Sequence, residues 1–380
     1  MYTLHINDLT QQEFLSQYWQ KKPLLIKGGF KSFEDPLEPD ELAGLAMEEG
    51  IESRIVTNHD GWQCTNGPFE DFSPLSNENA TLLVQAVDHW HPDAAQLLEP
   101  FRFIPNWRID DLMVSYSTVG GGVGPHLDQY DVFIIQGLGK RHWRVGNVDK
   151  SIQQFSANKG LLQVGQFDAV IDVILEPGDI LYIPPSAPHE GYATEAAMNY
   201  SVGFRAPNQT DLLSAFADHL IDHDLGQSRY TDASLTLRDS CGQLQQNEIE
   251  HLRALVTDAI NDDDVFLRFI AEHISAPKHD KDLLPLDDEI DESSVSNYLH
   301  NYPYLYKAGG LRCIYIEQDE SVMLGVEGHS FNMPIMHLTA VQALCDQPQV
   351  QTPLILEHTH CLLFRQMMAT LIREGFWFID

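Results

Sequence analysis

The chain has 380 residues, 43% of them hydrophobic, a length for which two or three domains with separate cores are expected. Its 56 Asp and Glu against 23 Lys and Arg give a formal charge of −33, which repels nucleic-acid phosphates and attracts basic partners, though acidity also serves solubility alone. There is no run of about 18 apolar residues and no basic-then-apolar leader in MYTLHINDLTQQEF, and Cys64, Cys241, Cys313, Cys345 and Cys361 form no C-x-x-C pair, so a soluble, unexported protein of a reducing cytoplasm is expected.

Gln11–Gly29 opens with Phe14, Leu15, Tyr18 and Trp19 at helical spacing and closes on a short apolar strand, Leu24–Ile26. Asp40–Glu49 and Ala80–Leu98 also read as helices. From Leu112 to Phe204 the pattern changes to short apolar strands between Gly and Pro turns: LMVSYS, DVFIIQGLG, RHWRVG, AVIDVILEPGDILYIPP and MNYSVGFR. That pattern predicts an antiparallel double-stranded barrel. After Pro207, helical periodicity returns in Asp211–Asp222 and Gln246–Ile274, as for packing or dimerisation helices. The acidic stretches Asp262–Asp264 and Asp287–Asp291 read as solvated loop or helix ends. Short strands at Arg312–Glu317 and Ser321–Gly325, with helices near His337–Cys345 and Leu354–Arg373, fit a small α+β module of winged-helix type. The predicted fold class is α+β, and the boundaries fall as a barrel domain with an N-terminal helical extension (1–208), a helical dimerisation region (209–285) and a winged-helix-like domain (286–380).

Within the barrel region, Gly124–Phe133 reads GPHLDQYDVF and Glu176–Tyr192 reads EPGDILYIPPSAPHEGY. In an extended strand, residues i and i+2 share a face, so His126 and Asp128 can offer an imidazole and a carboxylate to one ion. His189, just past the proline stop of the second segment, can complete the set. Two histidines and a carboxylate leave half of an octahedron open, which suits Fe(II) oxygenases that take O2 and a bidentate co-substrate. Spacing alone leaves Fe(II), Mn(II) and Zn(II) open. Gly120–Gly124 (GGGVG) leads into a strand and lacks the Lys-Ser/Thr of a phosphate loop, so a wide turn or a close approach to ligand are its two readings. His89 and His91, on a helical stretch, would sit on different faces and form no second metal site. No G-x-S-x-G elbow or activated cysteine points to hydrolysis.

The two metal-bearing segments resemble the metal-binding strands of the JmjC branch of the cupin (double-stranded β-helix) fold. FLSQYWQKKPLLI, GGGVGPHLDQYDVFIIQG, RHWRVG and NYSVGFRAP extend the likeness to the bacterial ribosomal oxygenases, over nearly all of the first 208 residues. The resemblance implies Fe(II) on His126, Asp128 and His189, 2-oxoglutarate and O2 as co-substrates, and 3-hydroxylation of an arginine in a large-subunit ribosomal protein. Such an enzyme must hold the far carboxylate of 2-oxoglutarate with a cation inside the barrel. In KRHWRV, Lys140, His142 and Arg144 alternate with Arg141, Trp143 and Val145, which makes Arg141 the inward cation, where the family's basic residue also falls; a slip of one residue would substitute Lys140. Ser115 can add a hydroxyl to the same carboxylate, Asn199 or Ser201 can reach the carboxylate nearer the metal, and Tyr116, Tyr130 and Tyr192 are candidates for the substrate mouth. The expected partners are a basic ribosomal protein, met before assembly, and a second copy of the chain; neither a membrane nor direct nucleic-acid binding is expected. Rival readings are histidine or asparagine hydroxylation or lysine demethylation on the same metal face, a metal-bearing cupin that only binds, and a DNA-binding regulator, against which the acidic Asp287–Asp291 weighs.

Overall fold

A computed structural model of the chain describes residues 2–158, 160–281, 283, 285 and 290–379. Helix α1 (Gln11–Gln17) starts where the Thr10 hydroxyl accepts from the Glu13 amide while the Glu13 carboxylate accepts from the Thr10 amide. It buries Phe14 completely. Strand β1 (Leu24–Ile26) follows, then α2 (Pro39–Leu45), β2 (Ser53–Asn58), β3 (Trp62–Asn66), β4 (Ala80–Val84) and the single turn α3 (Pro92–Ala95). The helix expected over Ala80–Leu98 is therefore a strand, a 3-10 turn and one helical turn, and α2 is shorter than Asp40–Glu49. All five residues of β4 are buried, and the strand is hydrogen-bonded between β2 and the next strand of its sheet. A short apolar run buried on both sides carries no alternation, and its periodicity cannot separate strand from helix.

The barrel continues with β5 (Ile109–Ser117), β6 (Val132–Gln136), β7 (Arg141–Gly146), β8 (Phe155–Asn158), β9 (Leu161–Gln163), β10 (Ala169–Leu175), β11 (Ile180–Ile183), β12 (His189–Ala193) and β13 (Ala197–Phe204). Eight strands form one antiparallel sheet in the order β1-β11-β6-β13-β5-β4-β2-β3, and β10-β7-β12 form a second. One face of the large sheet, with Leu112, Val114, Phe133, Ile135, Tyr182, Tyr200 and Val202, packs on Phe14, Leu42 and Phe101 of the N-terminal extension. From the other face, Val132, Ile134, Leu181 and Ile183 meet Trp143, Val145 and Leu175 of the small sheet. Inward positions of β5 and β13 carry Ser115, Asn199 and Ser201 where a dry core would carry aliphatics, and that leaves a polar cavity between the sheets.

Three helices follow: α4 (Gln209–Asp222), α5 (Gln246–Ile260) and α6 (Asp263–Ser275). The single helix expected over Gln246–Ile274 is two, because the Asp262 carboxylate accepts from the Val265 amide and restarts the chain as α6. The C-terminal part comprises α7 (Val295–His300), β14 (Tyr304–Lys307), β15 (Cys313–Glu317), β16 (Ser321–Val326), β17 (His329–Pro334), α8 (Leu338–Asp346), β18 (Gln349–Gln351), α9 (Thr352–Leu356), α10 (Leu362–Arg373) and β19 (Trp377–Phe378). Leu354–Arg373 is likewise divided, between α9 and α10. These elements enclose their own core around Leu324, Leu344, Phe364, Met368 and Trp377. The barrel is tied to this part through Asp110 of β5, which accepts from Arg205 at 2.9 Å and Arg312 at 2.9 Å and also pairs with Lys278. Of the acidic stretch Asp287–Asp291, the residues 287–289 lie outside the described ones. Among the described residues, no helix is long and apolar enough to cross a membrane.

Candidate active site

His126 and His189 form an isolated antiparallel bridge: the His126 amide donates to the His189 carbonyl at 2.9 Å, and the His189 amide donates to the His126 carbonyl at 2.8 Å. The extended strand expected through His126 and Asp128 is thus a one-residue bridge followed by a loop, in which the Asp128 carbonyl accepts from the Ser186 amide at 2.7 Å. Tertiary pairing, not strand alternation, brings the side chains together. The two rings lie 4.2 Å apart between centroids, and an Asp128 carboxylate oxygen is 3.9 Å from His126 Nε2 and 3.6 Å from His189 Nε2. Each Nδ1 faces a backbone carbonyl, Gly124 at 3.0 Å and Ala187 at 3.0 Å. With the protons held there, both Nε2 lone pairs face the Asp128 carboxylate. Burial, reinforced by the neighbouring His126, pushes the His189 imidazole down to about 4, so it is neutral at pH 7 and available as a ligand. This donor set could hold a divalent ion and leave positions for other ligands.

The glycine-rich segment acts as the turn that allows this approach. Gly120 and Gly124 have φ of +75° and +81°, and a Cβ on Gly122 would lie 2.3 Å from the Gly191 carbonyl of β12. The segment therefore rests directly on the strand that carries His189.

The histidines and Asp128 open onto a cavity of about 670 Å3 between the two sheets, also lined by Ser115, Arg141, Trp143, Asn199 and Ser201. Arg141 is 5% exposed. One guanidinium nitrogen donates to the Ser117 hydroxyl, while Nε is buried with no hydrogen-bond partner and no carboxylate pairs with the group, among the described residues. Burial pushes this guanidinium down to about 10. Lys140, by contrast, lies outside on Glu176 at 2.6 Å, and Arg144 pairs with Glu190 at 2.5 Å, so the register gives the interior to Arg141. Asn199 donates to Gln136 at 2.9 Å, and its Oδ1 is buried without a partner among the described residues, as is Trp143 Nε1. Ser115 is the cross-strand partner of Asn199. A cavity wall with a buried guanidinium that no carboxylate pairs, among the described residues, and further unsatisfied polar atoms fits an anionic, hydrogen-bonding guest.

Two of the mouth tyrosines lie elsewhere. Tyr116 packs on the core behind the large sheet, and Tyr192 is on the outer face of β12 bonded to His142. Tyr130 does line the cavity, where the adjacent Asp128 carboxylate raises its hydroxyl above the ordinary value. His89 closes a short 3-10 turn and His91 caps α3, so the two are not on one helix, and among the described residues neither joins a metal-competent cluster. Sequence reasoning missed Ser117, which holds Arg141 and shares a 2.9 Å hydrogen bond with Thr81. Its position two residues after Ser115 on the same strand face is the signal that would have found it. It also missed the acidic rim of Glu52, Asp110 and Asp111, which is assembled from separate elements and has no local motif.

The family model of the JmjC domain matches residues 96–212, and that of the ROXA-like winged helix matches residues 258–378. The ribosomal protein uL16 3-hydroxylase of Escherichia coli (strain K12) is 44% identical over 98% of both chains. A probable ribosomal oxygenase of Haemophilus influenzae is 34% identical over 81% of this chain and 79% of that one. The structure of YcfD, a ribosomal oxygenase from Escherichia coli, in complex with cobalt and 2-oxoglutarate, superimposes with a TM-score of 0.88 at 44% identity, covering 100% of both chains.

Proposed function

The chain belongs to the JmjC ribosomal oxygenases, and from that premise we propose that it is an Fe(II)- and 2-oxoglutarate-dependent dioxygenase that 3-hydroxylates an arginine of the large-subunit ribosomal protein uL16. His126, Asp128 and His189 are the proposed iron ligands, and Arg141 the proposed clamp on the far carboxylate of 2-oxoglutarate. When bound, iron supplies the oxidising chemistry that couples decarboxylation of 2-oxoglutarate to insertion of one oxygen atom into a C–H bond.

The observation that carries this reading is the unpaired guanidinium placed down the same barrel wall as the histidine–carboxylate set. His189 pairs with Val145 in the register of β12 and β7, and Arg141 lies on the same face of β7, about 13 Å of strand rise further on. That interval suits an extended arginine side chain meeting a five-carbon diacid whose other end reaches the metal. Ser115 and either Asn199 or Ser201 extend the hydrogen bonding along the diacid. At the mouth, Asp110 is already engaged by Arg205, Lys278 and Arg312, whereas Glu52 and Asp111 share the His279 ring at 3.6 and 3.9 Å, with Asp111 also accepting from Gln85 and the Ala86 amide; these two are the carboxylates proposed to receive a substrate cation. Burial and the adjacent Asp88 raise Asp111 to about 6, the condition of a carboxylate short of positive charge, and a guanidinium from substrate supplies it.

The remaining proposals follow from surface chemistry. Leu213, Ile221, Leu252 and Val256 are exposed on α4 and α5 and support a homodimer through these helices. The chain divides at 208/209 and 285/286 into barrel, helical and winged-helix-like regions. A charge of −33 favours free, basic uL16 over assembled subunits coated in RNA and fits a cytoplasmic enzyme. The decisive experiment incubates iron-loaded protein with 2-oxoglutarate and uL16, free or within intact subunits, and maps mass changes by tandem mass spectrometry. The expected result is a gain of one oxygen on a single arginine, faster in free uL16 and absent with Asp128→Ala. Oxidation of a histidine or lysine instead would overturn the assignment, and faster reaction in intact subunits would overturn the order of events.

A further inference from the structure

Away from the barrel, α4 and α6 place His219, His223 and Glu272 together, with one ligand-capable atom from each within 4.8 Å of the others. His219, in the last turn of α4, and His223, the residue that caps its C-terminal end, are four residues apart, with ring centroids 4.3 Å apart. One Glu272 oxygen lies 3.2 Å from His219 Nδ1 and 3.9 Å from His223 Nε2. The corresponding edges in the barrel, 3.6 and 3.9 Å, are no shorter.

We propose that His219, His223 and Glu272 form a second metal site, for a zinc-class divalent cation, with solvent as the remaining ligand. Three features besides proximity support it. His223 Nδ1 is 2.9 Å from the His219 carbonyl, which fixes the proton on that nitrogen and leaves Nε2 with a lone pair turned to the cluster, the arrangement that orients metal-bound imidazoles. The other Glu272 oxygen accepts from Arg268 at 2.9 Å and Ser330 at 2.7 Å, so the carboxylate is held by a surrounding shell with one oxygen left over. The His219 side chain is 6% exposed and its Nε2 is buried without a partner among the described residues; with Nδ1 on a metal, that nitrogen carries the proton and the ring needs no positive charge in the interior. A tetrahedral ion with bonds of about 2.0 to 2.1 Å has ligand–ligand edges of about 3.3 Å. The His219–Glu272 edge already matches, and His223, at the end of α4 with 30% of its side chain exposed, can close the other by rotation. Because Glu272 also holds Ser330 of β17, an ion here would clasp the helical region to the C-terminal sheet.

The test uses tag-free, full-length protein stripped with chelator, then titrated with Zn(II) or Co(II), with bound metal counted after gel filtration. The native chain is expected to retain about two equivalents, and His223→Gln and Glu272→Gln about one each. Substituting His126 and Asp128 together should leave about one equivalent whose Co(II) spectrum has the strong visible bands of a tetrahedral ion. Zn(II) should also raise the melting temperature of that barrel variant, and lose the effect when His223→Gln is added. Because the barrel variant leaves the second cluster intact, it tests the site even if substitutions in α4 or α6 fail to fold. No metal uptake by the folded barrel variant, or native stoichiometry in His223→Gln, would overturn the proposal.

Discussion

Replacing Arg141 by Met should move stability and co-substrate affinity in opposite directions. The guanidinium is buried without a carboxylate, and its fall from an ordinary value of roughly 12.5 to about 10 corresponds to about 3 kcal/mol of penalty on the charged form in the ligand-free protein. Methionine removes that penalty. It also removes the hydrogen bond to Ser117, worth about 1 kcal/mol, but Ser117 keeps its 2.9 Å partner Thr81 and is not orphaned. The net expectation is that apo Arg141→Met is more stable than the native chain by about 2 kcal/mol in urea unfolding at pH 7. For 2-oxoglutarate the loss is that of a buried charge-assisted pair, about 3 to 5 kcal/mol, so its KM should rise roughly 100- to 5,000-fold. Arg141→Lys, which keeps the charge and loses the planar fork, should fall between the two. Succinate formation with uL16 at varied 2-oxoglutarate gives the KM, and unfolding with and without 2-oxoglutarate gives the stability terms. A KM unchanged within about threefold, or an apo variant less stable than the native protein, would refute the placement of Arg141 as the anion clamp.

Asp111→Asn keeps an oxygen to accept from the Ala86 amide at 3.0 Å but loses the charge; the KM for uL16 should rise roughly tenfold to hundredfold while that for 2-oxoglutarate stays put, and equal effects on both would show a general distortion instead. Gly122→Ala drives a Cβ to 2.3 Å from the Gly191 carbonyl, backbone that cannot swing aside, so β12 and His189 must shift; metal affinity by titration should fall about tenfold or more. His189 has a folded value of about 4, below the unfolded value of roughly 6.5, so its stabilising contribution is complete above that value and is lost as pH falls through the folded one. In the metal-free protein the stability difference between native and His189→Gln should therefore shrink by at most about 3 kcal/mol from pH 7 to pH 4. The comparison with the variant is needed because buried Asp88 and Asp111, both raised to about 6, gain stability over the same acid range; a flat difference would refute the assigned burial effect.

Much of the site was legible because its chemistry is local. His126, Asp128 and His189 stand beside glycine and proline punctuation that few other arrangements require, and the two-residue repeat of RHWRVG separates Arg141 from Lys140 without any tertiary knowledge. The same repeat in β5 and β13 sets Ser115, Asn199 and Ser201 on the cavity side. What the amino-acid order could not decide is what depends on neighbours remote in the chain. Ala80–Val84 is a strand only because β2 and β5 accept it on both edges; its own residues serve a buried helix equally well. His126 owes its aim to a single bridge with His189, 63 residues away, and the orphaned state of Arg141 is a property of every side chain that fails to reach it. Residue spacing along a strand is fixed by covalent geometry and can be read in sequence; the acidic rim at the mouth and the His219–His223–Glu272 cluster are set by how separate elements pack, and became visible only in the folded chain.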